Sequence, residues 1–277
     1  MTADVIRVSE RWLALREPAD AAARATELVE RLGEGLPARG GLVVHDLACG
    51  TGAMGRWLAP RLPGPQHWVL HDRDRELLAA AAVAPPAAAA DGAAVTVEAR
   101  RSDITRLEQG DLADAALVTA SALLDLLTAD ELAGLLAVCC EVGCPLLMTL
   151  SVAGRVELDP ADPLDRPLAA AFDAHQRRST PRGRLLGPAA VAFAVAELER
   201  LGADVLVGAS PWRLGVAEAE LTAVWLTGWL GAACEHSPDL VSASGAYARR
   251  RRAQAAAGAL TVTVDHADVL ALWPPAD

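Results

Sequence analysis

The chain has 277 residues, enough for one large domain or a domain with an elaborated cap. It is 52% hydrophobic and 22% charged, with 22 Gly and 17 Pro, which excludes a disordered chain and a collagen-like repeat. A net charge of −11 argues against nucleic acid or an anionic membrane as the main partner, because both call for a positive surface.

In chain order, the first twenty residues mix charges among their apolar positions and hold no uninterrupted hydrophobic region, so no signal peptide is expected and the cytoplasm is the expected location. Residues 7–33 carry apolar side chains at helical spacing, broken by Pro18 and closed by Gly33 and Gly35, and predict two helices forming a cap over 1–36. Short apolar segments then alternate with helical ones, the pattern of a mostly parallel sheet with helices on both faces. Strands are predicted at 42–47, 67–71, 95–100, 115–120 and 145–151. Helices are predicted near 53–61, 74–83 and 129–141, the last opened by a capping box of Thr128 and Glu131.

The most apolar stretch, 132–151, is interrupted by Glu141 and Pro145 and reads as a buried helix and a buried strand, with no membrane span. Residues 154–186 are polar and Pro-containing, and predict a substrate-facing insertion after the fifth strand. A helix at 188–201, a strand at 203–208, a helical aromatic stretch at 212–233, a helix at 249–257 and a strand at 260–264 complete the chain. The expected division is one domain over 1–277: cap 1–36, core 40–151, insertion 154–186 and a closing part 187–277. The five cysteines are odd in number and lack a CxxC pair, which fits a reduced compartment and no metal site. All 25 basic residues are Arg, so Schiff-base and P-loop lysine chemistry is excluded.

The most informative segment runs from Val43 to Gly55, an apolar strand entering a Gly-rich turn and then a helix. Its Gly50-Thr51-Gly52-Ala53-Met54-Gly55 is literally G-x-G-x-x-G, so a nicotinamide dinucleotide site must be weighed. Asp46 discriminates: an acid at the strand end suits a cationic amine, where dinucleotide fingerprints run straight from apolar strand to glycine.

Asp46-Leu47-Ala48-Cys49-Gly50-Thr51-Gly52 resembles the first motif of class I S-adenosylmethionine (SAM)-dependent methyltransferases, with Ala48 standing where many members have a glycine. The resemblance implies that this loop wraps the methionine part of SAM and that Asp46 helps hold its amino group. It continues in order over about 40–151. Asp72, followed by Arg73, would bind the ribose hydroxyls; Asp103 would take the adenine amine and Ile104 pack on the ring; Ala120 and Ser121 end the strand over which donor and acceptor meet. The implied fold is a Rossmann-like three-layer sandwich with a mostly parallel seven-stranded sheet, and the implied product of the cofactor is S-adenosylhomocysteine (SAH).

Methyl transfer needs positioning, exclusion of water and, for a hydroxyl or acidic carbon, a base. Asp125 and His175 are the candidates: an apolar setting raises a carboxyl pKa, and a neutral imidazole removes protons near pH 7. Arg177, Arg178 and Arg182 suit an acidic substrate group, and Trp212 a substrate platform or the core. Arg16 and Arg24, on the cap, stand where a lid helix reaches the SAM carboxylate. The expected function is methyl transfer to a small-molecule acceptor, with homodimerisation left open. An NAD(P)-dependent oxidoreductase and a non-catalytic SAM-binding protein are the alternatives.

Overall fold

The computed structural model describes residues 8–36 and 40–273; positions 1–7 of the expected cap and 274–277 of the closing part lie outside them. In chain order the helices are α1 Glu10–Ala23, α2 Thr26–Gly35, α3 Ala53–Leu58, α4 Arg75–Val83, α5 Ala129–Val142, α6 Asp165–Gln176, α7 Ala190–Arg200, α8 Ala219–His236 and α9 Val241–Ala256. The strands are β1 Leu42–Leu47, β2 Gln66–Asp72, β3 Val95–Arg101, β4 Leu117–Ser121, β5 Leu146–Asp159, β6 Ser179–Thr180, β7 Gly183–Arg184, β8 Asp204–Ala209, β9 Trp212–Leu214 and β10 Thr261–Leu272.

The main sheet runs in the order β3-β2-β1-β4-β5-β10-β8, with β9 paired to β10 beside this path, making eight strands where seven were expected. β1 to β5 are parallel, and β10 is antiparallel to both β5 and β8. Parallel central strands are covered on both faces, which is why Leu42–Leu47 reads as a near-continuous apolar run. On one face Leu132, Leu136 and Cys139 of α5 and Ala194 and Leu198 of α7 pack with Val118, Leu146 and Val269. On the other, Leu28 and Leu32 of α2, Met54 and Leu58 of α3 and Leu78 of α4 pack with Val44, Leu70 and Leu147. This is the Rossmann-like three-layer sandwich.

A third core departs from the expectation for 154–186. β5 does not stop at 151; it runs to Asp159 and pairs with the start of β10, Thr261 opposite Asp159 and Val262 opposite Leu158. Leu158, Leu168 of α6, Leu226 and Trp229 of α8, Tyr247 of α9 and Val262 then bury one another. Arg251 closes this core from α9, its terminal nitrogen 2.6 and 2.7 Å from the two carboxylate oxygens of Asp165.

Three further readings are corrected. Pro18 does not break the first helix: it lies inside α1 on the exposed side, as does Ala14, so the carbonyl that loses its hydrogen bond faces solvent. The break falls at Arg24, whose ψ of 138° leaves the helical region. Trp212 belongs to no helix, since Pro211 and Gly215 bracket a strand with alternating burial that pairs with Val262–Val264. The last strand extends to Leu272, because register shifts at Val264/His266 and Ala267/Val269 absorb a broken alternation that hides it in the sequence. The capping box of Thr128 and Glu131 is present, and Gly143 ends that helix with φ 72°. Among the described residues no helix is long and apolar enough to cross a membrane.

Candidate functional site

In an open α/β sheet, ligands settle outside the carboxyl ends of the strands where the order reverses, here between β1 and β4. Backbone strain marks the same place. Among the described residues three non-glycine residues have positive φ, Ala48 (53°), Ala122 (52°) and Leu150 (56°), and they lie just beyond or near the carboxyl ends of β1, β4 and the sheet-core part of β5. Each left-handed non-glycine residue costs about 1–2 kcal/mol, a cost borne where the chain must turn sharply around something.

A cavity of about 60 Å³, room for a few waters, opens at this point. Asp46, Ala48, Gly50 and Ser121, four of the sequence-derived residues, line it together with Cys49, Thr51, Ala53, Met54 and Ala122. α1 and the junction after it form the opposite wall through Leu13, Arg16, Asp20 and Arg24. Leu13 presses on the turn so closely that a Cβ on Gly50 would lie 3.0 Å from its Cδ1.

Asp46 is fully buried; Thr119 donates its hydroxyl to Oδ1 at 2.9 Å, and Oδ2 has no hydrogen-bond partner. Burial pushes its carboxyl up to about 7, against the Thr119 hydrogen bond and the Arg24 charge. Arg24, only 4% exposed, donates through Nε to Thr149 Oγ1 and through Nη2 to Ser121 Oγ, both at 3.3 Å, while Nη1 has no partner. Its guanidinium lies 5.1 Å from the Trp57 ring centroid. A buried carboxyl and a buried guanidinium thus share one cavity, each with an atom left over.

Asp72 supports the turn from β2, accepting the Gly50 N–H and the Asp74 N–H, each at 2.9 Å. Arg73 is exposed beside it, and its carbonyl accepts the Arg101 Nε–H. Gly52 ends the turn at φ 81° and Ala120 is buried in β4. Asp103 is exposed and caps the turn 104–106 by accepting the Thr105 N–H and hydroxyl. Although its partial burial pushes the other way, those hydrogen bonds and the Arg106 charge hold its carboxyl below the usual range. Ile104 faces the core with Leu107.

Asp125 is buried three residues past the cavity wall at Ala122, and burial pushes its carboxyl up to about 6 against its own backbone N–H and the charges of Arg16 and Arg178. His175 sits at the end of α6 with Nε2 3.4 Å from Glu235 of α8. Burial lowers its pKa, and the Arg178 charge, also felt at Asp125, adds to the fall. Arg178 donates to the His175 carbonyl at 3.2 Å; the Arg177 N–H closes α6; Arg182 is paired with Glu131. Trp212 is buried under α1, donating Nε1–H to Asp20 Oδ1 at 2.9 Å. Within the expected insertion 154–186, Arg155, Arg166 and Asp173 line a separate open groove that shares no wall residue with the cavity. Leu13, Asp20, Thr51 and Met54 were missed. Thr51 and Met54 fill the variable positions of the glycine motif, and Leu13 and Asp20 have only their place on a cap helix as a signal.

Comparison with solved structures places the fold. The YcgJ protein of Bacillus subtilis superposes with a TM-score of 0.50 at 10% identity, over 90% of this chain and 100% of that one. The cyclopropane synthase MmaA2 of Mycobacterium tuberculosis gives 0.49 at 13% identity, over 95% and 94% of the two chains. A SAM-dependent methyltransferase of Geobacter sulfurreducens, solved with SAH, gives 0.45 at 16%, over 98% and 100%. At these identities the likeness is one of fold. No protein-family model matches the chain, and no curated protein matches it.

Proposed function

We propose that this chain is a class I methyltransferase that moves the methyl group of SAM to a small-molecule acceptor in the cytoplasm. The observation that carries the reading is the pair of unpartnered atoms of opposite sign, Asp46 Oδ2 and Arg24 Nη1, in a cavity at the switch point of the sheet. The amino-acid end of SAM is a zwitterion, and its ammonium and carboxylate would satisfy the two in turn. The ordered acids at the ends of β1, β2 and β3 support the same reading: Asp72 for the ribose, and Asp103 with Ile104 for the adenine. Arg73, Gly52 and Ala120 shape the surrounding backbone.

Bound there, SAM supplies an electrophilic methyl group on a sulfonium. The protein's own part is to hold that end fixed, to exclude water with α1 and to take a proton from the acceptor. Asp125 suits the last role: it lies next to the wall at Ser121 and Ala122, and a carboxyl near 6 is ionised at neutral pH yet basic enough to accept a proton at an Oδ. His175 stands second, because Glu235 already holds its Nε2. Arg177, Arg178 and Trp212 are proposed as the acceptor side, and the acidic surface favours a small molecule over nucleic acid.

The test is turnover, read as SAH released, against pH. At saturating SAM, kcat/KM for the acceptor falls as pH drops through about 6 and Asp125 is protonated. Asp125→Asn lowers kcat by roughly 10²–10⁴-fold, the usual worth of a positioned base, and leaves SAH affinity unchanged. Wild-type rates in Asp125→Asn would remove it from the mechanism.

A further inference from the structure

We propose that Arg16 anchors an acceptor subsite for a small organic acid, set between the cofactor cavity and the buried side chains of Asp125 and His266; this rests on the methyl-transfer reading above. Arg16 is held rather than loose. Its Nε donates to Asp20 Oδ2 at 2.9 Å, Asp20 Oδ1 is held by Trp212, and the guanidinium lies 5.0 Å from the Trp212 ring centroid. Among the described residues neither terminal nitrogen of Arg16 makes a hydrogen bond, and the side chain lines the cavity at only 13% exposure. A guanidinium fixed at Nε and stacked on an indole presents its remaining N–H groups as a fork, the geometry that suits a carboxylate.

Arg16 and Arg24 both face the cavity; Arg24 is held by Thr149 and Ser121, whereas Arg16 is held at Nε alone, so its terminal N–H groups are the ones left for an anionic acceptor. The neighbours suit an acid bearing a methylatable hydroxyl. The Arg16 charge is felt at Asp125, the proposed proton acceptor, and at His266. His266 is buried with its ring 5.2 Å from Trp212, and burial keeps it neutral.

The experiment titrates 4-hydroxybenzoate and its neutral match 4-hydroxybenzamide into SAH-saturated protein by calorimetry, with wild type, Arg16→Gln and Arg16→Lys. The acid is expected to bind wild type about tenfold or more tightly than the amide, the worth of a charge-assisted pair. Arg16→Gln is expected to abolish that preference and Arg16→Lys to keep part of it, each variant being titrated at saturating SAH. Equal binding of acid and amide to SAH-loaded wild type, or an undiminished preference in Arg16→Gln, overturns the subsite alone. Failure of SAH to bind wild type overturns the cofactor reading and the subsite with it.

Discussion

At the scale of residues, the carboxyl ends of β1 and β2 hold two ionisable groups side by side in each strand, and the halves behave differently. Asp46 turns to the cavity, whereas its neighbour His45 joins a buried chain: Nε2 to Asp114 Oδ1 at 3.0 Å, and Nδ1 to His71 Nε2 at 2.9 Å, whose Nδ1 meets Ser102 Oγ at 2.9 Å. One proton per ring satisfies every link, and a second proton on both rings sets the two facing nitrogens against each other as donors. Burial, with the His45 charge, brings His71 down to about 4 from 6.5, and His45 is lowered as well. A depressed folded pKa stabilises above the unfolded value and loses that contribution as pH falls through the folded one. The contribution of this pair is therefore expected to fall between pH 6.5 and 4, by about 3 kcal/mol for His71 at 1.36 kcal/mol per unit. Urea midpoints across this window check it, and the double variant His45→Gln, His71→Gln should flatten the slope; an unchanged slope would assign it to other groups.

At the scale of elements, α1 is the unusual helix. Asp20 is its only fully buried residue, so it is held over the Gly-rich turn by polar ties and a few half-buried apolar side chains. Glu17 makes two hydrogen bonds to Arg56 at 2.7 and 2.6 Å, Trp57 Nε1 donates to the Ala21 carbonyl, and Asp20 holds Trp212. α1 forms one wall of the cavity, so under the proposed reading it is the element that would move aside for SAM, and polar ties release at less cost than an apolar interface. The Glu17–Arg56 pair is partly exposed and worth about 1 kcal/mol or less. Glu17→Gln should accordingly speed both SAH association and release about three- to fivefold in stopped-flow tryptophan fluorescence, with little change in Kd. Unchanged rates would mean that this pair does not gate the cavity.

At the scale of the whole molecule, what could be read from the sequence was local. Parallel strands buried on both faces announce themselves as apolar runs, and the acids that end them, Asp46 and Asp72, fall at the ligand-binding edge of the sheet for that reason. The capping box at Thr128 is equally local. What was hidden depends on contacts distant in sequence: Trp212 is a strand residue because Val264 lies opposite, and β10 continues past His266 because bulges absorb its broken period. The roles of Arg16 and Asp20 follow from α1 lying across the glycine turn, which helical periodicity does not encode. The start of the stretch 154–186 reads as an insertion because β5 alternates exposed Arg155 and Glu157 with inward Val156 and Leu158, one face of a strand covering a third core.

The central claim is that a zwitterionic sulfonium cofactor is held between Asp46 and Arg24. Calorimetric titration with SAM, SAH, NADH and NADPH, on wild type and Asp46→Asn, tests it most directly. SAM and SAH are expected to bind and neither nicotinamide to do so, with affinity about tenfold or more weaker in Asp46→Asn, the scale of one charged hydrogen bond. Binding of a nicotinamide without SAM, or undiminished SAM affinity in Asp46→Asn, would contradict it.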